Sequence, residues 1–177
     1  KILRDITARR AAESALRDSE IRHRAILDAA LDAVITIDER GLVESMNPAG
    51  VRLFGYDERE VVGQNVSMLM PEPYRSGHDQ YLANYMKTGQ ARIIGIGREV
   101  VGRRRDGSTF PIELAVTELK LSGRRLFTGT VRDITARKRA EQALRDSESR
   151  FRSIADTIPQ LIWTAGSDGV PDYCNAR

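Results

Sequence analysis

Apolar positions recur along this chain in two rhythms. Near the start, Ala12, Leu16, Ser19, His23, Ile26 and Ala30 follow steps of four, three, four, three and four. Ala140, Leu144, Ser147, Phe151, Ile154 and Ile158 repeat those steps near the end. Such spacing draws one seam along a helix, wide enough for a partner helix. Between the two helices a period of two takes over. Phe110, Ile112, Leu114 and Val116 alternate with Pro111, Glu113, Ala115 and Thr117, which predicts a strand with one buried face. Shorter strands are predicted at Ala33–Asp38 and through Met46, around a turn at 38–41. Residues 47–63 read as short helices and turns, and 72–87 as a longer helix after prolines. Three longer strands follow, at about 92–102, 109–119 and 125–134. The first two join through Arg103-Arg104-Arg105-Asp106-Gly107-Ser108, where Asp-Gly makes the hairpin turn and the arginines form a solvated tip. A last hairpin is predicted over 161–175.

The two helical stretches are copies. Residues 4–28 recur at 132–156, an offset of 128, with eighteen of 25 positions identical. Thr7 and Thr135 are the expected N-caps. Acids precede bases at i, i+4, as in Glu13 and Arg17 or Asp18 and Arg22, the favourable order on a solvated helix face. His23 aligns with Phe151 and reads as a seam filler rather than a ligand. The chain therefore divides into a linker helix (1–30), an α+β domain (31–135), a second linker helix (136–158), and the opening of a further domain (159–177).

Composition narrows the function. Of 28 basic residues 24 are Arg, but 25 acids hold the net charge at +3. Interleaved acids argue against a nucleic-acid partner, which calls for a one-sided basic surface. The single cysteine, Cys174, excludes an intrachain disulfide and a multi-cysteine metal site, and suits a reducing cytoplasm. No apolar run approaches a membrane span, so no membrane contact is expected of this stretch. The chain opens at Lys1 rather than Met and reads as a piece of a longer protein.

The order of elements, with five strands in an antiparallel sheet and flanking amphipathic helices of coiled-coil type, resembles a PAS sensory domain. Residues 32–135 resemble the haem-binding PAS domains of the FixL family of oxygen sensors. The residues that carry this are Arg52-Leu53-Phe54-Gly55-Tyr56, Gly63-Gln64-Asn65-Val66, Leu69-Met70-Pro71-Glu72-Pro73, Arg75, His78-Asp79 and Tyr81. Ile93-Ile94-Gly95-Ile96-Gly97-Arg98, Arg104-Arg105-Asp106-Gly107, Phe110-Pro111 and Thr128-Gly129 continue it. The resemblance implies haem b, with His78 as the proximal iron ligand and Arg98 as a switch between a propionate and bound oxygen. It implies Ile93, Leu114 and Val116 on the gas side, and Tyr81, Arg92, Ile94, Ile96 and Gly129 around the cofactor. Two positions depart from the family pattern at the propionates: Asn84 replaces a basic residue, and Arg92 replaces a histidine of some members.

The residues themselves allow plainer readings. His78, Tyr81, Leu82, Tyr85 and Met86 fall at i, i+3, i+4, i+7 and i+8, which puts His78 on the edge of an inward stripe. A histidine there is more often a satisfied boundary residue than a ligand. Arg98 alternates with Ile94, Ile96 and Val100. Its guanidinium needs an anion if buried, or else sits at a strand end open to water. Ile93, Leu114 and Val116 can be ordinary core, and Gly129 a bulge or a site of close approach.

Catalytic motifs are missing. The Gly95-Ile96-Gly97 run has Val100 where a dinucleotide loop needs glycine, and no P-loop, nucleophile elbow or kinase ATP site is present. The expected protein is thus a cytoplasmic, non-catalytic oxygen-sensing module of a bacterial signalling protein, most simply a histidine kinase. It would form a homodimer through its linker helices and pass its state to a downstream kinase or other output domain. The alternative is a haem-free PAS module for dimerisation and relay.

Overall fold

A computed structural model describes residues 2–89, 97–121 and 123–175, in two compact units split between Ile134 and Thr135. The first unit opens with α1 (Ile2–Ala29) and then forms an α+β fold. Its strands are β1 (Ala33–Asp38), β2 (Val43–Met46), β3 (Arg98–Arg103), β4 (Thr109–Leu121) and β5 (Arg124–Asp133). They make one antiparallel sheet in the order β2-β1-β5-β4-β3. The helices between β2 and β3 are α2 (Pro48–Phe54), α3 (Glu58–Val61), a 3-10 turn (Val66–Leu69) and α4 (Tyr74–Thr88). The fold class expected from the sequence and its five strands are therefore present; β3 is described from Arg98, and positions 92–96 of the strand expected there lie outside the described residues.

Local chemistry explains the short elements. Asn47 and Asp57 cap α2 and α3, the latter through a capping box with Glu60, and Gly55 ends α2 at φ 77°. α4 starts at Tyr74 rather than at residue 72, behind Pro73, and stops at Gly89, whose φ of 65° suits glycine. β4 and β5 run closer to each other than predicted, into a tight turn at Gly123, φ 81°.

The core lies at one end of the sheet. Ala33, Ile35, Val43, Met46, Phe54, Val61, Val66, Leu69, Phe110, Ile112 and Val131 form one buried cluster. Phe54 meets Phe110 edge-on, ring centres 5.7 Å apart. The arginine triplet, expected at a solvated tip, is partly built into this end. Arg104 lies over the Phe110 ring at 3.9 Å and pairs with Asp133 at 2.9 Å, while Arg105 pairs with Glu60 at 2.7 Å.

One buried residue ties α1 to the sheet. The Asn47 amide donates to the carbonyls of Leu27 and Asp32, at 3.0 and 3.1 Å, and its Oδ1 accepts from the N–H of Val34 at 2.9 Å. Thr7, by contrast, lies inside α1 rather than at its start. The same Arg-Asp-Ile that ends a strand at 132–134 is helical at 4–6. At 132–134 the backbone pairs with β4 and Ile134 is buried, whereas α1 has no sheet partner in that stretch among the described residues. Local sequence alone does not choose between the two.

The second unit holds α5 (Thr135–Thr157), β6 (Trp163–Ala165) and β7 (Pro171–Cys174). It repeats the asparagine junction bond for bond. The Asn175 amide donates to Ala155 and Gln160 carbonyls, both at 2.9 Å, and its Oδ1 accepts from the Ile162 N–H at 3.0 Å. Every partner lies 128 residues after its counterpart. The seam residues Leu16, Ile26, Leu144, Phe151 and Ile154 are exposed within the chain.

Candidate functional site

β4 lays one continuous row across the inner face of the sheet: Phe110, Ile112, Leu114, Val116 and Glu118. Register with the neighbouring strands extends each rung. Arg98 stands opposite Leu114, which faces Val131 on β5; Val116 faces Gly129, and Glu118 faces Phe127. Arg98, Leu114, Val116 and Gly129 thus share one face. Leu114 and Val116 are half-buried, and a Leu114 methyl lies close over the Gly129 backbone. Arg98 is exposed, because it opens β3 and sits at the strand end; it is not sunk in the sheet. Arg92, Ile93, Ile94 and Ile96 lie outside the described residues.

α4 crosses this face with its C-terminal half. The Tyr85 hydroxyl donates to Glu118 Oε2 at 2.7 Å, and its ring meets Phe127 edge-on at 5.8 Å. Met86 Sδ lies 3.8 Å from a guanidinium nitrogen of Arg125. Arg125 Nε is 3.6 Å from Glu118 Oε1, an ion-pair distance too long for a hydrogen bond. That oxygen is buried without a hydrogen-bond partner. Glu118 beside it pushes the Tyr85 phenol pKa up. His78, Leu82, Tyr85 and Met86 are half-buried, so they form the inward row. Tyr81 was expected there too, but it turns outward at 52% exposure and lays its ring over Gly77.

His78 occupies the other half of α4. Its ring lies against Gly41, whose φ of 81° lets the β1–β2 turn approach without a side chain, next to Asn65 and Asp79. Asn65 caps the 3-10 turn through its Oδ1 and donates from its amide to Asp79 at 2.9 Å, which fixes the carboxylate. Asp79 stands 3.6 Å from His78 Nδ1, and that nitrogen is buried without a hydrogen bond. Burial holds the His78 pKa below its ordinary value, against the pull of Asp79. The ring is therefore neutral near pH 7, the form that binds a metal. Among the described residues no group of three or more His, Cys, Asp or Glu is placed to hold a bare metal ion.

The second row of this site, Tyr85, Glu118 and Arg125, was not among the residues picked from sequence. One signal was available: Glu118 continues the inward alternation of Phe110 to Val116, so a carboxylate was due on an apolar face.

This five-stranded sheet with short helices laid over one face is the architecture of a sensory fold, and the chain belongs to the PAS fold family, whose profile matches residues 22–134. It is 45% identical over 150 residues to the sensor protein FixL of Bradyrhizobium diazoefficiens, covering 85% of this chain and 30% of that protein. It is 38% identical over 133 residues to the cell-division control histidine kinase PdhS of Brucella anthropi, covering 75% of this chain and 12% of that one. Among solved structures, the PAS domain of an HTR-like protein from Haloarcula marismortui superposes with a TM-score of 0.59 at 25% identity. That match covers 71% of this chain and 99% of the other. The chain is thus a PAS module related to a sensor protein and to histidine kinases, and it spans under a third of the length of these two relatives. Among the described residues no helix is long and apolar enough to cross a membrane.

Proposed function

We propose that this chain is the sensory module of a cytoplasmic bacterial signalling protein, most simply a histidine kinase, and that it binds haem b and responds to oxygen. The observation that carries the reading is His78. It is a neutral imidazole, half-buried on the helix that crosses the open end of the sheet, with one nitrogen orphaned beside a fixed carboxylate. Carboxylates in that position orient metal-bound histidines. Among the described residues His78 belongs to no group of three metal-ligating side chains, so iron would have to arrive in a group that brings its own ligands, and a porphyrin does so. When bound, the haem would supply iron with one face open to a diatomic gas. His78 would hold the iron, and Leu114, Val116 and Ile93 would keep water from the gas side. Gly129 would give the ring room against the sheet, with Tyr81, Ile94 and Ile96 around its edge. Arg98 and Arg92 are the cations for its propionates; at the exposed strand end the Arg98 guanidinium has room to reorient with ligand state.

Relay would run from β5 into α5 and on through a homodimer of linker helices to the output domain. Ile134 supports this: it is buried, and its N–H donates to the Pro111 carbonyl at 3.1 Å, so the exit of β5 is fixed to β4. The exposed seams Leu16, Ile26, Leu144 and Ile154 await partner helices. The Asn175 junction supports reading 159–177 as the opening of another PAS-type domain, because it reproduces the Asn47 junction in register. On this reading the piece senses and transmits and carries no catalysis of its own.

The visible spectrum tests the haem. Protein purified with haem is expected to show a Soret band that His78→Ala loses or shifts. No band in the wild type, or an unchanged one in the variant, overturns the assignment. A second reading, a haem-free relay module, is favoured by one contact: the Tyr85 ring seated on Phe127.

A further inference from the structure

α4 is held differently from every other helix over the sheet. None of its fifteen residues is fully buried, whereas the seven of α2 include three that are. Apolar burial therefore does little to keep it in place, and discrete contacts take over. In its C-terminal half these are the Tyr85–Glu118 hydrogen bond, the Tyr85–Phe127 ring contact and the weak approach of Arg125 to Met86. Tyr85 is two helical turns after His78, on the same inward row, so whatever restrains Tyr85 restrains the helix that carries His78. Glu118 and Phe127 make the rung next to Val116 and Gly129, which the haem reading puts against the ligand.

The cluster is also under-satisfied. Glu118 Oε2 has the Tyr85 proton, but Oε1 is buried with its cation 3.6 Å away and no hydrogen bond. A carboxylate in an apolar row, with one oxygen orphaned, is poorly spent on stability alone, since a leucine there would pack without that cost. Its one strong bond reaches across to α4.

We propose that the Tyr85–Glu118 hydrogen bond is a latch that keeps α4 down on the sheet, and that a flat ligand between His78 and the β4–β5 face enters only when the latch opens. The ligand part rests on the haem reading above; the latch itself does not. In the structure Tyr85 covers Phe127 and the bond is made. For a planar ring to seat, the phenol has to leave Glu118, and the C-terminal half of α4 swings out from the turn where Asn65 holds Asp79. Tyr85 and Glu118 are positioning residues: they set how readily the groove opens and need not touch the iron.

Two measurements on the full chain test this separately. Amide exchange over 82–88 in ligand-free Tyr85→Phe is expected to be about tenfold faster than in wild type, with amides of β1 and β5 changed by less than about threefold. Glu118→Gln keeps an acceptor for the phenol and is expected to stay within about threefold of wild type over 82–88. Unchanged exchange in Tyr85→Phe, equal acceleration of every element, or Glu118→Gln as fast as Tyr85→Phe would each overturn the latch. Stopped-flow uptake of haem is then expected to be several-fold faster in Tyr85→Phe; equal rates would overturn its role as a gate. If wild type takes up no haem, the haem reading fails, and the latch is decided by exchange alone.

Discussion

The same row of β4 is covered at its two ends in opposite ways. At the Phe110–Ile112 end, α2, α3 and the 3-10 turn each sink apolar side chains fully into the core (Phe54, Val61, Val66 and Leu69), and their N-caps are filled. At the Val116–Glu118 end, α4 lies half-exposed and is held by a phenol, a carboxylate and a thioether. On the proposed reading, the difference puts stability and function in separate places. A core gains from complete burial, while a groove that must admit a ligand cannot have its cover sealed by the same means. His78 belongs to the half that burial leaves loose.

The contrast breaks most visibly at Phe54. It is 2% exposed and edge-on to Phe110, so Phe54→Ala is expected to cost about 4 kcal/mol, read as a drop in the denaturant midpoint at unchanged m-value. A loss near 1 kcal/mol would mean that this end is no better packed than the other. Asn47→Ala comes next, at about 2 kcal/mol, since it removes a helix cap and strands the half-buried Val34 N–H together with two carbonyls. Because those carbonyls lie in the last turn of α1 and the loop that follows it, faster amide exchange near 27–32 should accompany the loss. Leu82, half-buried on α4, is expected to cost only about 1 kcal/mol as Leu82→Ala. Equal losses at Phe54 and Leu82 would erase the distinction between the halves.

Much of the packed half was legible in the sequence, and physical range explains what was not. Period-two alternation from Phe110 to Val116 marks the inner face, and the strand register keeps that face. Asp106-Gly107 marks its hairpin, with Gly107 at φ 86°. These are local signals. Asn47 gives no such signal, since its partners come from α1, the following loop and β1, up to 20 residues away. Only its recurrence as Asn175 hints at a role. Arg104 looked like a solvated tip because its partners, the Phe110 ring and Asp133, are brought to it by strand pairing. Arg98 shows the limit of alternation: the period gives the face, but the start of β3 decides exposure. At the candidate site, the helix stripe put His78 only at the edge of the inward row, and the family resemblance made it a candidate ligand. Gly41 and Asn65, which shape its surroundings, meet it only through the fold.

The smallest expected effect is the most direct probe of the loose half. Burial lowers the folded-state pKa of His78 below its unfolded value, with Asp79 opposing. The unfolded chain therefore binds the proton more readily, and stability rises with pH across this window. The contribution is complete above the ordinary histidine value, about 6.5, and is lost as pH falls from there through the folded value. One proton limits the slope to about 1.4 kcal/mol per pH unit. Thermal unfolding from about pH 7.5 to 5.5 should thus fall more steeply for wild type than for His78→Gln, with His23 common to both. Were α4 to stand open in the free protein, the imidazole would be solvated and the two profiles would run parallel. Tyr85→Phe sharpens the same test. Releasing the helix should flatten the wild-type slope toward that of His78→Gln, so that the pH profile reports how firmly the cover of the groove is held.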